Sequence, residues 1–167
     1  MRFRFAIPLL SMLAVVVLPF ALPATAATST QAPAFRLPDR DGGTVALDSL
    51  AAKVVLIDFW ASWCEPCRKS FPWLSSLYQR YGSKGLVIVA INLDKSREPA
   101  ESFLSKYPAP FRVAFDPAGK TAEQFHVRAM PTSFVLDDHR TILLTHPGFD
   151  PKKTDAIETL VREACEK

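Results

Sequence analysis

The feature that most constrains this chain is an apolar run, Val54–Trp60, followed closely by two cysteines, Cys64 and Cys67. A β-branched, apolar segment of this length predicts a strand that is buried on both faces, as in a parallel sheet. The residues after Cys64 have the pattern of a helix. The cysteine pair is therefore predicted to lie where a strand passes into a helix.

This position has chemical consequences for the two thiols. The first backbone N–H groups of a helix are unpaired, and the helix dipole places partial positive charge there. A thiolate at Cys64 is stabilised by both, whereas Cys67, one turn further on, is shielded. We therefore expect Cys64 to attack and Cys67 to resolve. The helical spacing predicts one inward-facing stripe, made of Cys67, Phe71, Leu74, Tyr78 and Tyr81.

Residues 59–67, FWASWCEPC, resemble the active-site segment of the thioredoxin superfamily. The Glu-Pro dipeptide between the cysteines is similar to that of the TlpA/ResA-type extracytoplasmic thiol-disulfide oxidoreductases. The resemblance covers residues 35–167 and implies an α/β, thioredoxin-like fold with three layers, α/β/α, around a central mixed sheet. It also implies an N-terminal hairpin and an inserted helix and strand before a cis-proline loop.

Two other interpretations of the cysteine pair are an inert disulfide and half of a zinc site. A structural zinc site needs four ligands. The remaining histidines and the third cysteine supply no second ligand pair at metal spacing, so we predict no metal; these residues are His126, His139, His146 and Cys165.

The N-terminus has the pattern of an export signal. Arg2 and Arg4 precede an apolar stretch over residues 5–22, and Ala24 and Ala26 supply small residues for cleavage. We predict a signal peptide over residues 1–26, a flexible lead-in over 27–34 and one domain over 35–167. An uncleaved membrane anchor is the alternative. Export places the protein in the periplasm or an equivalent oxidising compartment, where disulfides persist.

The charge balance argues against nucleic acid as a partner. The whole chain has a formal net charge of +3, and removal of Arg2 and Arg4 lowers it further. No block of basic residues remains in the predicted mature chain, so the basic pI indicates no nucleic-acid surface.

The pattern after residue 34 predicts alternating strands and helices. A hairpin is expected around Asp41-Gly42-Gly43, followed by a helical turn capped by Asp48. A strand over 85–91 completes a parallel βαβ unit with Val54–Trp60. The remaining elements are predicted as a helix at 98–107, a strand at 111–115, a short helix at 121–125, antiparallel strands at 133–136 and 141–145, and a last helix capped by Asp150 and opened by Pro151.

Asp58 is the one charged residue in the apolar run. If that strand is central, burial raises the pKa of its carboxyl. The resemblance implies that Asp58 relays protons to and from Cys67. The alternative is an ordinary surface aspartate at a strand end. ResA-like proteins tend to carry a glutamate three residues after the second cysteine, but Ser70 stands there, which leaves Asp58 the better candidate base.

Residues 127–136 match the superfamily's cis-proline loop and the strand that follows it. The resemblance implies a cis Met130–Pro131 bond and a loop that faces Cys64. There the substrate chain pairs with the backbone as an added strand would. Met130, Pro131 and Thr132 are therefore candidate substrate-binding residues.

The residues around and between the cysteines are expected to tune the site. The carboxylate of Glu65 opposes a thiolate at Cys64, and Pro66 provides no charge. A less stabilised thiolate makes the disulfide harder to reduce, which favours a reductant over a strong oxidant. Trp60 and Trp63 are expected to form an apolar rim that meets protein partners; Trp63, Glu65 and Pro66 are counted among the substrate-binding candidates.

The resemblance implies a thiol-disulfide oxidoreductase with no cofactor beyond the redox-active disulfide Cys64–Cys67. Its expected substrates are protein disulfides or thiols, of the cytochrome c maturation or copper-site type. A membrane-embedded thiol electron donor of the CcdA/DsbD type would recharge it. We expect a monomer.

Two other functions remain open from the sequence. An oxidase that donates its disulfide differs in redox potential alone. A copper or protein-binding chaperone on the same fold carries cysteines four apart and a distant histidine, for which His146 is the residue to test. A peroxidase is disfavoured, because a peroxidatic cysteine usually lacks a partner one turn on. Cys165 is expected to be a small apolar residue near a helix end, with a regulatory disulfide as the alternative.

Overall fold

The computed structural model of the protein describes residues 30–167. The predicted signal peptide and the first three residues of the predicted lead-in lie outside the described residues. Within residues 30–167, no helix combines the length and the apolar content that crossing a membrane requires.

The core is a five-stranded sheet with the strand order β5-β4-β3-β6-β7, and a separate two-stranded hairpin, β1-β2, lies beside it. The strands are β1 (Arg36–Pro38), β2 (Thr44–Ala46), β3 (Val54–Trp60), β4 (Leu86–Asn92), β5 (Arg112–Phe115), β6 (Thr132–Asp137) and β7 (Ile142–Pro147). The helices are α1 (Glu65–Tyr81), α2 (Arg97–Lys106), α3 (Lys120–Gln124) and α4 (Asp155–Glu166).

The sheet is mixed, as predicted. β3, β4 and β5 run parallel, and β6 and β7 are antiparallel to their neighbours. The apolar β3 is central and completely buried because it has hydrogen-bonded strands on both sides and packed layers on both faces. Phe59 near the end of β3 lies opposite Thr132 at the start of β6. The end of β3 and the loop before β6 therefore meet at one edge of the sheet.

Side chains alternate along β3 between two packed layers. Val54, Leu56 and Trp60 pack with residues of α1, α2 and α4, in the cluster that also contains Cys64 and Cys67. We call this side of the sheet the cysteine face. Val55, Ile57 and Phe59 pack on the other side. The three-layer prediction is confirmed, with the second outer layer built from α3 and the hairpin.

The inserted helix α2 is attached to the cysteine face by aromatic packing. The ring of Phe103 lies 4.7 Å from that of Trp60 and 4.9 Å from that of Phe71, measured between centroids. Such tilted contacts add to the apolar burial. Along α1, Leu77 is buried and Tyr78 is half-buried, so the predicted stripe is shifted by one residue at its fourth position.

The described end of the predicted flexible lead-in is held against the domain. Gln31 bridges Thr141 beside β7, and the N–H of Ala32 donates to the carbonyl of Arg140 at 2.9 Å. Ala32 is buried. These backbone contacts hold the chain from residue 31 onward, where composition alone predicted a loose segment.

Two predicted helix caps lie elsewhere. Asp48 is inside a short 3-10 helix, Leu47–Ser49, rather than at its start, and Ala46 is the N-cap residue. Asp150 caps another 3-10 helix, Pro151–Lys153, by accepting a hydrogen bond from the N–H of Lys152 at 3.0 Å. α4 begins only after Thr154 because the chain turns first.

Candidate active site

The cysteine pair lies at the end of β3, as predicted. The N–H of Cys64 donates to the carbonyl of Ala61 at 3.1 Å, which closes a turn, and Cys64 is the N-cap residue of α1. Its sulfur accepts a hydrogen bond from the N–H of Cys67 at 3.2 Å. This is the helix-terminal donor that favours a thiolate at Cys64.

The two sulfur-bearing residues are joined in a disulfide and differ in access. Cys64 keeps 4% of its surface exposed and Cys67 keeps none. An external thiol or disulfide therefore meets Cys64 first. This asymmetry supports the predicted order, in which Cys64 attacks and Cys67 resolves.

Asp58 is fully buried in the middle of β3, which excludes the interpretation as a surface aspartate. It shares the cysteine face with Leu56 and Trp60 by strand alternation. The hydroxyl of Ser133 donates to Asp58 Oδ1 at 2.6 Å, and Oδ2 is buried with no hydrogen-bond partner among the described residues. Burial raises the pKa of Asp58 to about 7, against the opposing effect of the Ser133 hydrogen bond. The carboxyl can therefore take up or release a proton near neutral pH.

Ser70 occupies the place where ResA-like proteins tend to carry glutamate. It is buried, and its hydroxyl donates to the carbonyl of Cys67 at 3.2 Å. This position thus supplies no proton-accepting carboxylate, and Asp58 remains the candidate base.

A buried carboxylate that we did not select from the sequence holds the loop before the cysteines. Asp94 Oδ2 accepts from the N–H of Ser62 at 2.9 Å and from Asn92 Nδ2 at 2.7 Å, and Oδ1 accepts from the Ser62 hydroxyl at 2.9 Å. Asp94 is 6% exposed. The polar pair Asn92 and Asp94 directly after the second apolar run was the signal that could have revealed it.

The Met130–Pro131 bond is cis, as the resemblance implied. Met130 is half-buried and packs against the cluster that contains the cysteine pair. Pro131 is buried, and its carbonyl accepts from the N–H of Gly148 at 2.7 Å. The loop therefore lies beside the cysteines, where a substrate backbone can pair with it.

Thr132 follows the loop but turns away from the cysteines. It lies opposite Phe59, whose side chain belongs to the other face of the sheet. Its hydroxyl donates to the carbonyl of Ala129 at 2.7 Å. Thr132 is placed to shape the loop, and only its backbone is near the predicted substrate path.

The residues predicted to tune the site separate into exposed and buried ones. Trp63 is 68% exposed, and Trp60 is entirely buried, so the apolar rim consists of Trp63 alone. The Glu65 carboxylate lies 2.7 Å from the guanidinium of Arg68, one turn along α1. In that exposed ion pair the positive charge of Arg68 opposes the repulsion that Glu65 would exert on a Cys64 thiolate. Pro66 occupies the first turn of α1, where its missing N–H costs nothing.

A groove of about 360 Å³ opens beside the cysteine-bearing loop. Its walls come from the loop, from the start of α1 and from the inserted α2; they include Ser62, Arg68, Phe103, Lys106 and Tyr107. The insert thus widens the surface next to Cys64 that a protein substrate can contact.

The three histidines differ in their surroundings. His126 and His139 are exposed, as predicted. The prediction of a solvated loop position is wrong for His146, which is half-buried within β7. Its Nδ1 lies 3.1 Å from the carbonyl oxygen of Gly148. In residues 30–167, no three His, Cys, Asp or Glu side chains are grouped as metal ligands are.

Cys165 is buried among the apolar residues of α4 and forms no disulfide. Burial raises the pKa of its thiol. A buried thiol with a raised pKa is a poor nucleophile, which supports the interpretation as a packing residue.

Comparison with known proteins shows which family and which characterised proteins this sequence is similar to. A sequence model of the AhpC/TSA family matches residues 28–144. The chain is 32% identical over 123 residues to the thiol-disulfide oxidoreductase ResA of Bacillus thuringiensis, covering 74% of this chain and 71% of that protein. It is 33% identical to ResA of Bacillus subtilis, covering 71% of this chain and 66% of that one.

A solved structure is also similar. The crystal structure of a Chlorobium tepidum protein assigned as thiol:disulfide interchange protein DsbE superposes with a TM-score of 0.78 at 44% identity. The match covers 82% of this chain and 96% of that one.

Proposed function

The chain belongs to the AhpC/TSA family and is a thiol-disulfide oxidoreductase of the ResA type, and we propose that it works as a reductant of protein disulfides outside the cytoplasm. The enzyme class follows from the relatives and from the Cys64–Cys67 pair at the start of α1. The direction of electron flow and the compartment are our proposal.

The observation that supports a reductant is the set of groups around the Cys64 sulfur. It accepts one backbone hydrogen bond, from Cys67, and its helix neighbour Glu65 brings a carboxylate that is paired with Arg68. No histidine or other cation stands between the cysteines. A strong oxidant needs a strongly stabilised thiolate. This site provides a moderate one, which favours the reducing direction.

In the proposed reduction of a protein disulfide, each of these residues has one step. The Cys64 thiolate attacks one sulfur of the substrate, and the other substrate sulfur leaves as a thiolate that takes a proton from water. Cys67 then gives its proton to the Asp58 carboxylate and attacks the Cys64 sulfur. The intermolecular disulfide breaks, and the substrate sulfur that was bound to Cys64 leaves as a thiolate with the electron pair of that bond. The enzyme ends with the Cys64–Cys67 disulfide and two electrons fewer.

Three parts of the proposal rest on the sequence and on chemistry. The N-terminal pattern of residues 1–26 supports export. A dithiol in an oxidising compartment must be reduced again after each turnover, which calls for a membrane-embedded thiol donor. Apocytochrome c thiols and copper-site cysteines are the substrate classes we propose. The cis-proline loop and the groove beside Ser62 supply a surface for such a protein chain.

The test is the equilibrium redox potential of the Cys64–Cys67 couple in residues 27–167, titrated against thiol-disulfide buffers and measured by alkylation. We expect a value near the ~−270 mV of thioredoxin. A value near the ~−120 mV of a strong periplasmic oxidant would instead assign the disulfide-donating alternative. Arg68→Ala is the informative variant, because loss of the partner leaves Glu65 unpaired and lowers the potential further.

A further inference from the structure

Four residues form a row across the sheet at the level of the buried carboxyl. Asp58 in β3 lies between Ala90 of β4 and Ser133 of β6, and Ser133 in turn lies opposite His146 of β7. Directly opposed residues of neighbouring strands project from the same face. His146 is therefore on the cysteine face, in line with Asp58 and Ser133.

The packing of neighbouring residues confirms this orientation. Val135 and Leu144, two positions along from Ser133 and His146, are also opposite one another and both pack in the cluster of the cysteine face. Ser133 already donates its hydroxyl to Asp58 at 2.6 Å. The side chains of opposed residues start about 5 Å apart at Cβ, so one water can bridge the imidazole and the Ser133 hydroxyl.

The contact of His146 with Gly148 determines which ring nitrogen is available to accept a proton. A carbonyl oxygen only accepts, so Nδ1, at 3.1 Å from the Gly148 carbonyl, carries the hydrogen. Nε2 of the neutral ring is then an acceptor. Imidazole is the side chain that takes up and releases protons near neutral pH.

We propose that Ser133 and His146 form the proton path between the buried Asp58 carboxyl and solvent. Asp58 has no exposed surface, so a proton received from Cys67 needs a route out before the next turnover. In the outward direction the carboxyl donates to the Ser133 oxygen, while the Ser133 hydroxyl proton moves through a bridging water to His146 Nε2. The imidazolium then releases that proton to water at the part of the half-buried His146 side chain that is exposed. The reverse sequence returns a proton when the pair is reduced.

Other titratable groups on this face are differently placed. Ala90 brings no charge to the other side of Asp58, and Cys67 is the reaction partner itself. Asp150 near His146 is engaged with the N–H of Lys152. The remaining buried or half-buried titratable side chains of the elements packed on this face are Tyr78 and Tyr81 of α1, Glu101 of α2, Tyr107 after α2, and Glu158 and Cys165 of α4. Glu101 is paired with Arg40.

These remaining groups are held at other parts of the face. Glu158 is paired with Arg80 near the far end of α1. Cys165 lies by Lys53, before the start of β3, with the Lys53 ammonium 3.2 Å from its carbonyl oxygen. Tyr81 ends α1 beside the cations of Arg80 and Lys84. The Ser133–His146 row is thus the polar connection from Asp58 toward the edge of the sheet.

The inference rests on thiol exchange at Cys64–Cys67 and holds for either direction of electron flow. The test is multiple-turnover reduction of a disulfide-containing peptide, with excess dithiothreitol to re-reduce the enzyme, quenched with acid, with the mixed disulfide and the released peptide quantified. His146→Asn keeps a donor for the Gly148 carbonyl but cannot carry a proton. We expect the resolving step to slow about 10-fold at neutral pH.

Two further variants separate a proton path from a structural role. Free imidazole should restore the resolving rate of His146→Ala, and Ser133→Ala should show the same slowing as His146→Asn. In a Cys67→Ser background the attack step should be insensitive to His146. His139→Asn, at a side chain that is 85% exposed, is the matched control. If His146→Asn resolves at the wild-type rate across pH, or if imidazole rescues nothing, the path is overturned.

The outcome is separable from that of the proposed function. If the wild-type protein fails to reduce the peptide but oxidises a dithiol peptide, the reductant assignment falls. The same variants are then compared in the oxidising direction, where the return of the proton through His146 limits the reaction instead.

Discussion

The properties of Asp58 are set by its immediate surroundings. Its carboxyl is surrounded by the apolar cysteine face and receives one hydrogen bond, from Ser133. Desolvation disfavours the charged form, so the pKa rises to about 7. A carboxylate that ionises near neutral pH is matched to accepting a proton from a thiol at that pH.

Replacement of Asp58 by Asn should therefore affect one chemical step. We expect the resolution of the mixed disulfide by Cys67 to slow by about 100-fold at pH 7, because the proton acceptor is lost. Attack by Cys64 should be unchanged. In the wild type the resolving rate should rise as the pH increases through about 7, the pKa of Asp58, and this rise should be absent from Asp58→Asn.

Rapid quenching followed by alkylation distinguishes the mixed disulfide from the product and measures both steps. Asp138→Asn, in an exposed turn, is the matched control because it removes a carboxylate that lies near the start of β3, away from Asp58. A resolving rate in Asp58→Asn equal to that of the wild type would remove Asp58 from the mechanism.

At the scale of elements, the site depends on how β4 holds the loop between β3 and α1. The carboxylate of Asp94 binds the backbone and the hydroxyl of Ser62, and Asn92 at the end of β4 orients that carboxylate. The N–H of Leu93 adds a bond to the carbonyl of Trp60 at 2.9 Å. The start of α1, and with it Cys64, is thereby positioned by a strand that carries no reacting group.

Asp94→Ala should loosen this connection. The Ser62 N–H and the Asn92 amide lose their partner in a buried place, which costs about 1–3 kcal/mol of unfolding free energy. We also expect reduced Cys64 to react with iodoacetamide at an altered rate, since its helix-terminal position shifts. Chemical unfolding and alkylation kinetics measure the two effects.

Asp155→Ala, at an exposed position in the first turn of α4, controls for the loss of one carboxylate. Asp94→Asn retains the acceptor oxygen and should recover part of the stability. Unchanged stability and alkylation in Asp94→Ala would show that the loop holds its conformation without β4.

At the scale of the whole molecule, the buried carboxyl links stability to pH. The unfolded chain ionises Asp58 near the ordinary value of 3.8, whereas the folded protein retains the proton up to about pH 7. Between these values the folded state binds more protons than the unfolded state, so the contribution of Asp58 to stability falls as the pH rises. The full difference corresponds to about 4 kcal/mol.

We therefore expect Asp58→Asn to be more stable than the oxidised wild type at pH 8 and about equally stable near pH 4. Urea unfolding of the oxidised proteins across this range measures the difference directly. The control, Asp138→Asn, should stay parallel to the wild type. A stability gap between Asp58→Asn and the wild type that does not grow with pH would contradict a raised pKa at Asp58.

The sequence alone was enough to predict much of the fold and the cysteine pair of the site. The apolar runs of β3 and β4 predicted buried parallel strands, because a strand that is buried on both faces does not alternate between apolar and polar residues. The FWASWCEPC segment and the Met130–Pro131 dipeptide identified the thioredoxin-like fold and the cis bond, because both are local signatures. Cys64 and Cys67 followed from the same segment.

The tertiary structure alone decided which distant side chains meet. Ser133 opposite Asp58, His146 beyond it, and Asp94 on Ser62 are contacts set by strand register and by the meeting of β3, β4, β6 and β7 at one edge. No local pattern encodes them. The exposure of Trp63 and the burial of Trp60 were undecided for the same reason: burial depends on what packs against a residue, here α1 and α2, and that is fixed only when the chain has folded.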